Sequence, residues 1–285
     1  GGIFFHGGSQ NNDGNYLNDL SGGDALVLNH AVPVEADNVA YVFTPDSVPA
    51  EGEDGTITIT DAVISDLSTT ITFTGLEPIL DNLIIADREF DFTDADEVIS
   101  LSDNGNPLDA LAYIDSTESE SVLFQNATNS ITIRTNSVGA SPGMDTIQIS
   151  TLYSSFTTHL TIEGDSDDSV TFQGPDPILL GDVLINAGNV DIQTEVIATT
   201  VEISTTGSTD STFTGGTITT TGSQLYNDAV NITTDTTLTS SGGGSIEFVS
   251  TVDGSINLVI NTTGDTIFGG AVGNTLSLAT LTTNA

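Results

Sequence analysis

Residues 169–204 read SVTFQGPDPILLGDVLINAGNVDIQTEVIATTVEIS, and this stretch decides the fold. Apolar and polar residues alternate in it, as in Ser169–Gln173, Val190–Thr194 and Val201–Ser204. Alternation with a period of two puts the apolar side chains of a strand on one face and the polar side chains on the other. β-Branched Thr, Val and Ile suit such a pleated, half-buried surface. The stretch therefore predicts short β-strands that each bury one face.

The same alternation recurs along the chain, from Thr56–Thr60 to Ser255–Val259, and no long segment has the i, i+3, i+4, i+7 spacing of a helix. Glycine-rich pairs and triplets such as Gly188-Asn189 and Gly242–Gly244 separate the runs and supply the positive φ angles of tight turns. Strands begin roughly every 8–12 residues, which is typical of an all-β sandwich, barrel or solenoid.

Internal repeats favour the solenoid. The segments 170–187 and 266–285 resemble each other, and aligning Asn186 with Asn284 separates them by 284 − 186 = 98 residues. Short strands between glycine-rich corners suit a β-solenoid, in which each coil pairs with the coils above and below. We expect regular solenoid repeats over 166–285, with ends that look uncapped.

The first half has a different texture. Residues 1–165 contain most of the prolines, longer loops and most aromatic residues other than Phe. We expect an irregular, loop-rich β region over 1–165, either the start of the solenoid or a β-sandwich, with a soft boundary near Gly164–Asp168.

The charge excludes several functions. The chain has 40 Asp and Glu residues against 2 Lys and Arg residues, and its net charge is −38. Such a polyanion repels the phosphates of nucleic acids and of anionic membranes. It has no cysteine, so disulfides, thiolate zinc sites and cysteine nucleophiles are excluded. No apolar run approaches the ~20 residues of a membrane span. From Gly1-Gly2-Ile3 at one end and Ala285 at the other, we expect a piece of a larger secreted chain.

The order of several sequence stretches along the chain indicates a resemblance to known proteins. They are ITFTGLEPI at 71–79, SVLFQN at 121–126 with SITI at 130–133, HLTIEGDSDDSVTF at 159–172, and ITTTGSQLYNDAV at 218–230 with parts of 248–272. Together they resemble the large β-strand-repeat surface proteins of bacteria, relatives of filamentous haemagglutinin and autotransporter-type adhesins. The resemblance covers most of the chain from about residue 56. It implies a right-handed parallel β-helix in a long, exported, non-enzymatic surface protein, and it carries over no catalytic residue. The lack of lysine goes further than is typical of these proteins.

Acidic clusters are the candidate ligand sites. Asp165, Asp167 and Asp168 resemble the Gly-Asp-rich turns of calcium-binding β-rolls, in which carboxylates and carbonyls bind the ion. There are two weaker candidate clusters: one is Asp103, Asn104 and Asn106 with Asp109, and the other is Asp91, Asp94, Asp96 and Glu97. The alternative is that these residues lie in solvated turns, because a β-roll repeats its motif several times and here it occurs about once. Calcium is the one cofactor that the sequence suggests.

An enzyme is a further alternative, because parallel β-helices also include pectate lyases and polygalacturonases. Asp167-Asp168 could imitate the carboxylate pair of an inverting glycosidase. Such sites also need histidine and basic groups, and the two arginines, Arg88 and Arg134, lie where a carboxylate partner is expected. We therefore predict no enzyme.

The sequence favours a structural segment of an exported bacterial surface adhesin or extracellular fibre. Uncapped solenoid ends expose backbone donors and acceptors, so we expect head-to-tail contacts with neighbouring repeats of one chain or with separate subunits. The alternative is a calcium-dependent adhesin module that binds a cell-surface glycan or another cell. A polysaccharide-active enzyme is the least favoured of the three.

Overall fold

The computed structural model describes residues 2–6, 25–29, 36–44, 53–61, 68–76, 78–93, 95–106, 110–135, 143–152, 156–205, 211–213 and 216–284. In these ranges the chain forms 29 β-strands and no helix. The prediction of an all-β chain is confirmed. The strands belong to three sheets, and most of the pairs between them are parallel.

Sheet 1 has twelve strands. In their order across the sheet they are β1 (Gly2–His6), β2 (Ala25–Asn29), β6 (Ile79–Asp81), β10 (Val122–Gln125), β9 (Leu111–Ser116), β8 (Val98–Asp103), β12 (Thr146–Ile149), β14 (Ser169–Phe172), β17 (Asn189–Ile192), β20 (Ser211–Phe213), β23 (Val230–Ile232) and β26 (Val252–Asp253).

Sheet 2 has eleven strands. From one edge to the other they are β28 (Thr266–Phe268), β25 (Ile246–Phe248), β22 (Gln224–Tyr226), β19 (Thr200–Thr205), β16 (Asp182–Ala187), β13 (His159–Glu163), β11 (Ser130–Arg134), β7 (Ile85–Asp91), β3 (Ala36–Thr44), β4 (Glu53–Thr60) and β5 (Ser68–Leu76).

Sheet 3 has six strands. They follow one another as β15 (Ile178–Leu179), β18 (Val196–Ala198), β21 (Thr217–Thr220), β24 (Thr236–Ser240), β27 (Asn257–Thr262) and β29 (Thr280–Asn284). Every pair in this sheet is parallel.

From β13 onward the chain visits the three sheets in a fixed order. β13 lies in sheet 2, β14 in sheet 1 and β15 in sheet 3, and the next three strands repeat this order. The repeat is short: Leu160 pairs with Val183, 183 − 160 = 23 residues later, and Val183 pairs with Val201, 201 − 183 = 18 residues later. The predicted 98-residue relation is wrong as a structural period, because Asn186 lies in sheet 2 and Asn284 in sheet 3.

Sheets 1 and 2 continue through residue 165 without a break in pairing. β11 pairs with β13 and β12 pairs with β14, both in parallel. The antiparallel pairs of the described residues all involve strands before residue 126, namely β1–β2, β3–β4, β4–β5, β8–β9 and β9–β10. The first half therefore shares two sheets with the second half and differs from it by these antiparallel pairs.

The core lies where the inward faces of the sheets meet. In-register parallel pairing places similar residues next to one another in successive strands. The alternating Val, Ile, Leu and Phe side chains therefore form apolar columns. One column holds Tyr226, Phe248 and Phe268, whose ring centroids are 5.0 and 5.3 Å apart along the column. Fully buried Phe and Leu side chains each contribute roughly 1.5–3 kcal/mol of hydrophobic stabilisation.

Candidate functional site

The structure places the predicted ligand residues at two corners. Asp165, Asp167 and Asp168 follow β13, and Asp96 precedes β8 on the same side of the molecule, since β14 and β8 both pair with β12. Asp103 and Asn104 lie at the opposite end of β8. Asp94 and Asp109 lie outside the described residues. The structure thus places Asp96 on the same side as Asp165, Asp167 and Asp168, and it places Asp103 and Asn104 on the opposite side.

Three buried carboxylates form one column at the first corner. Val98, Thr146 and Ser169 are register partners, so the residues directly before them, Glu97, Asp145 and Asp168, follow one another from strand to strand. Each of the three is 1% exposed. We call Glu97, Asp145 and Asp168 the acidic corner.

Backbone hydrogen bonds hold the acidic corner together. The N–H of Glu97 donates to Oδ1 of Asp145 at 2.8 Å. The N–H of Asp145 donates to Oδ1 of Asp168 at 2.9 Å. Asp145 and Asp168 each therefore satisfy a backbone donor on the neighbouring chain segment, which explains why acidic residues stand directly before these strands.

The two outer carboxylates have further donors. Oδ2 of Asp168 accepts from the hydroxyl of Thr135 at 2.6 Å and from the N–H of Asp165 at 2.8 Å. Glu97 accepts from the N–H and hydroxyl of Thr93 and from the hydroxyls of Ser116 and Ser119. Both side chains are thus well supplied with hydrogen bonds in spite of their burial.

Asp145 differs, because its Oδ2 is buried without a hydrogen-bond partner. The pKa of Asp145 is raised to about 7, chiefly by burial; the hydrogen bond from the N–H of Glu97 opposes the rise, and repulsion from Asp168, Glu97 and Asp165 adds to it. This carboxyl therefore titrates near neutral pH.

The column stops at Gly188, the next position in register. A Cβ at Gly188 would overlap the carbonyl oxygen of Ser166. No side chain can extend the column here, so the acidic corner is limited to its three carboxylates on this side.

The remaining predicted ligands close their own turns. Oδ1 of Asp103 accepts from the N–H of Gly105 at 2.7 Å, Oδ1 of Asn104 from Asn106 at 2.9 Å, and Oδ1 of Asp165 from Asp167 at 2.8 Å. This is the local hydrogen bonding that favours Asp and Asn in turns. Within the described ranges no group of three or more Asp, Glu or His side chains is arranged to hold a metal ion.

Both arginines are engaged with carboxylates. Arg88 is fully buried and pairs with Asp81, and it also donates to the carbonyls of Gln125 and Leu83 at 3.0 and 2.7 Å. Arg134 bonds Glu89 and Glu163, each at 2.7 Å. Both Arg residues, the only Lys or Arg residues of the sequence, are therefore paired with carboxylates of this chain.

Sheets 2 and 3 end on one side at β28 and β29, and in sheet 1 Val272 forms a parallel bridge to Val252 of β26. No further strand follows these in the described part of the chain. Leu281 of β29 continues the column of Leu258, but it is 42% exposed whereas Leu258 is fully buried. Phe268 of β28 is only partly buried against the core. We call β28 and β29, with Phe268 and Leu281, the open end. It exposes both the edges of strands and part of the apolar interior.

Sequence reasoning missed Asp145 as a site residue. Its position carries a usable pattern, because Glu97, Asp145 and Asp168 each stand directly before an alternating strand. The pattern becomes specific only when the strands are known to pair, since β12 and β8 are separated by 146 − 98 = 48 residues in the sequence.

The described residues include no helix of the length and hydrophobicity needed to cross a membrane. Comparisons of the chain with protein-family models, with curated proteins and with solved structures found no match.

Proposed function

We propose that the chain is a right-handed parallel β-helix that serves as a structural segment of an exported bacterial surface adhesin or extracellular fibre and assembles head to tail. The three-strand repeat from β13 to β27 supports the β-helix, because each strand reaches its parallel neighbour through one circuit of the three sheets. Crossovers between parallel strands of one sheet are right-handed in about 98% of cases, which supports the handedness.

The open end carries the proposal of head-to-tail assembly. The exposed edge of β29 offers unpaired backbone groups, and exposed edges are templates for pairing with another strand. Leu281 and Phe268 offer apolar surface that another strand triplet would cover, as β29 covers Leu258. The occupant is the next repeat of a longer chain or a second subunit.

The rest of the molecule suits a rod. Parallel backbone pairing along three sheets gives stiffness, because each strand triplet is bonded to the triplets on both sides. The net charge of −38 keeps the outer surface hydrated and opposes side-by-side clumping wherever carboxylates face outward. Contacts between molecules are therefore favoured at the open end.

Negative-stain electron microscopy of the purified chain, in calcium and then in excess chelator, tests the proposal. We expect end-to-end rods. Leu281→Asp should shorten them, because it places a charge on the apolar surface of the open end. Leu184→Asp is the matched control, since Leu184 is 44% exposed on the outer face of sheet 2, close to the 42% of Leu281. Monodisperse particles of single-chain length in both solutions would refute head-to-tail assembly.

The second candidate function is a calcium-dependent adhesin module that binds a glycan or another cell. The buried oxygens without hydrogen-bond partners on Asp145 and Asp165 favour it, because calcium takes carboxylate oxygens together with carbonyl and water oxygens. Calorimetric titration with calcium chloride tests it. Saturable binding that Asp145→Asn weakens at least tenfold supports the site, and binding that is equal in both proteins places calcium elsewhere.

A further inference from the structure

Sheet 2 has two edge strands, β28 at the open end and β5 at the opposite edge. In the described part of the chain, β28 pairs only with β25, and β5 pairs only with β4. Eleven strands at a spacing of about 4.8 Å put the two edges roughly 48 Å apart. We call β5 the head strand, because it lies at the edge opposite the open end.

The head strand runs in the same direction as β28. Every neighbouring pair of sheet 2 from β3 to β28 is parallel. β4 is antiparallel to β3, and β5 is antiparallel to β4, so the two reversals cancel. A second copy that is translated along the stacking direction therefore presents its head strand to β28 as one more parallel strand.

One inward column runs through all eleven strands of sheet 2. It begins at Ile71 of the head strand and ends at Phe268 of β28, and the register partners between them are Ile57, Tyr41, Phe90, Ile133, Ile162, Ile185, Ile203, Tyr226 and Phe248. Every member is aliphatic or aromatic. When the column is continued from one copy into the next, Ile71 lies beside Phe268, which is only partly buried in the isolated chain.

The neighbouring outward column matches in the same way. It begins at Thr70, an exposed residue of the head strand, and ends at Ile267 of β28, which is 38% exposed. Continuing the column places Thr70 of one copy beside Ile267 of the other. An uncharged side chain thus meets an apolar one at this position.

Both edges lack the features that keep exposed strands apart. The head strand, Ser68–Leu76, is nine residues long and contains no charged residue and no proline, and β28 contains neither. Natural proteins commonly protect sheet edges with charges or proline. In the continued register, Asp265 before β28 falls beside Ser68, and Asp61 of the head side follows β4, one strand further away. The described carboxylates therefore do not oppose one another directly, which matters in a chain of net charge −38.

We propose that the head strand of one copy of this chain pairs in parallel with β28 at the open end of another copy, with residues 69–71 beside residues 266–268. The inference rests on the proposed head-to-tail assembly and names the surface that meets the open end. A second copy is the occupant because strand direction, inward column and lack of charge match at the same register. Sheet 2 then continues from one molecule into the next.

The contact is short, because β28 contributes only three residues. Such a contact buries far less than the ~800 Å² per partner of a stable interface. We therefore expect association at high protein concentration, and more of it when salt screens the repulsion between the two polyanions.

Single cysteines test the junction, because the natural chain has none. Thr70→Cys and Ile267→Cys are mixed at about 0.5 mM each under mild oxidation, at a concentration suited to a weak contact. Parallel neighbours about 4.8 Å apart fall within the Cα separations that disulfides span, so we expect a linked heterodimer. Each variant alone should form dimers about tenfold more slowly, because only the mixed pair is held at a high effective concentration.

Leu184→Cys is the matched control for Thr70→Cys. Leu184 belongs to the same outward column and is 44% exposed, but it lies in the middle of the sheet. Mixed with Ile267→Cys, it should link as slowly as the single variants. Equal rates for the two mixtures would overturn the proposed junction.

A charge on the head strand provides a second test without cysteine. Thr70→Glu places a carboxylate beside Ile267 of the next copy and should abolish the concentration-dependent rise in mass measured by light scattering. Thr58→Glu is the control, because Thr58 lies one strand further in and its hydroxyl contacts that of Thr70 at 3.3 Å, so both variants lose the same contact.

The outcomes separate this junction from head-to-tail assembly in general. Rods that form without the disulfide between positions 70 and 267, or that are unaffected by Thr70→Glu, would overturn the junction and leave head-to-tail assembly intact. Homodimers of Ile267→Cys that form as fast as the heterodimer would show that two open ends meet, and would refute both.

Discussion

Two buried carboxylates, Asp81 and Asp145, have nearly the same exposure, 0% and 1%, but very different surroundings. Asp81 faces the guanidinium of Arg88 and accepts from the hydroxyl of Tyr41 at 2.5 Å and from the N–H of Leu83 at 2.8 Å. Asp145 has two carboxylate neighbours in its column and one oxygen without a hydrogen-bond partner. At the scale of the residue, burial alone does not decide whether a charge is stable; its partners do.

The raised pKa of Asp145 makes stability depend on pH. Between its unfolded pKa near 3.8 and its folded pKa of about 7, the unfolded chain is ionised at this site while the folded chain keeps the proton. The contribution of this group to the free energy of unfolding therefore falls as the pH rises from about 4 to 7. Asp145→Asn cannot ionise and retains an acceptor for the N–H of Glu97. In urea unfolding at pH 8, we expect this variant to be more stable than the natural protein by on the order of 2 kcal/mol. This is about half of the free energy that corresponds to the full shift in pKa, because neighbouring polar groups screen the charge of Asp145.

At pH 4.5 the two proteins should differ little. Asp235→Asn is the control with the opposite sign, because hydrogen bonds from Asn257 lower the pKa of Asp235 and ionised Asp235 favours the folded state at pH 8. A stability difference for Asp145→Asn that is the same at both pH values would contradict the assigned titration.

The buried pair of Arg88 and Asp81 gives a second prediction. Asp81→Asn leaves the charge of Arg88 inside the core without its counter-ion, and we expect a loss of about 3–5 kcal/mol in the free energy of unfolding. Glu163→Gln is the matched control, because it removes a partner of Arg134 in a half-exposed pair and should cost less than about 1 kcal/mol. Equal losses in denaturant unfolding would mean that burial has no influence on the strength of these pairs.

At the scale of the element, each strand depends on the strands stacked on both sides of it. Strands of three to six residues, such as β22, β25 and β28, are too short to be stable alone. Their aromatic column of Tyr226, Phe248 and Phe268 is shared between three successive strands of sheet 2. The loss of stability on truncating an aromatic side chain should therefore depend on the position of that side chain along the column.

Truncation along this column tests the dependence. Phe248 is fully buried between Tyr226 and Phe268, so Phe248→Ala should lower the free energy of unfolding by about 3–5 kcal/mol. Phe268→Ala, at the partly exposed end of the same column, should cost less than half as much in the isolated chain. Thermal unfolding followed by circular dichroism measures both. A larger loss of stability for Phe268→Ala than for Phe248→Ala would contradict this prediction, and would mean that the side chains of the open end contribute most to the stability of the fold.

At the scale of the whole molecule, the dominant quantity is the net charge of −38. Among the described residues, carboxylates lie on the outer faces of the sheets and at the corners, and Arg88 and Arg134 are the only Lys or Arg residues of the sequence. Self-repulsion of this size destabilises the compact state, and it weakens when salt screens it.

Salt should therefore stabilise the folded chain. We expect the urea midpoint at pH 7 to rise steadily between 10 mM and 500 mM sodium chloride, because the Debye length falls below the spacing of the surface charges. An unchanged or falling midpoint would show that the carboxylates do not repel one another appreciably. Repeating the series with calcium chloride at matched ionic strength separates general screening from specific calcium binding.

The sequence by itself determined the fold class and the local elements of this protein. Strands such as β14 (Ser169–Phe172), β17 (Asn189–Ile192) and β19 (Thr200–Thr205) follow the alternation of apolar and polar residues, because a period of two gives every strand one face to bury whatever its neighbours are. It also indicated that both arginines are paired with carboxylates, because two cations among 40 acidic residues cannot lie far from one.

Only the tertiary structure decided which strands are neighbours, and hence which residues share a site. Pairing over long sequence distances brings Glu97, Asp145 and Asp168 into one column and buries Arg88 against Asp81. The same pairing aligns six separate strands into sheet 3. Alternation fixes the direction of a side chain but not the register of its strand, so neither the 18–23-residue repeat nor these clusters follow from local pattern alone.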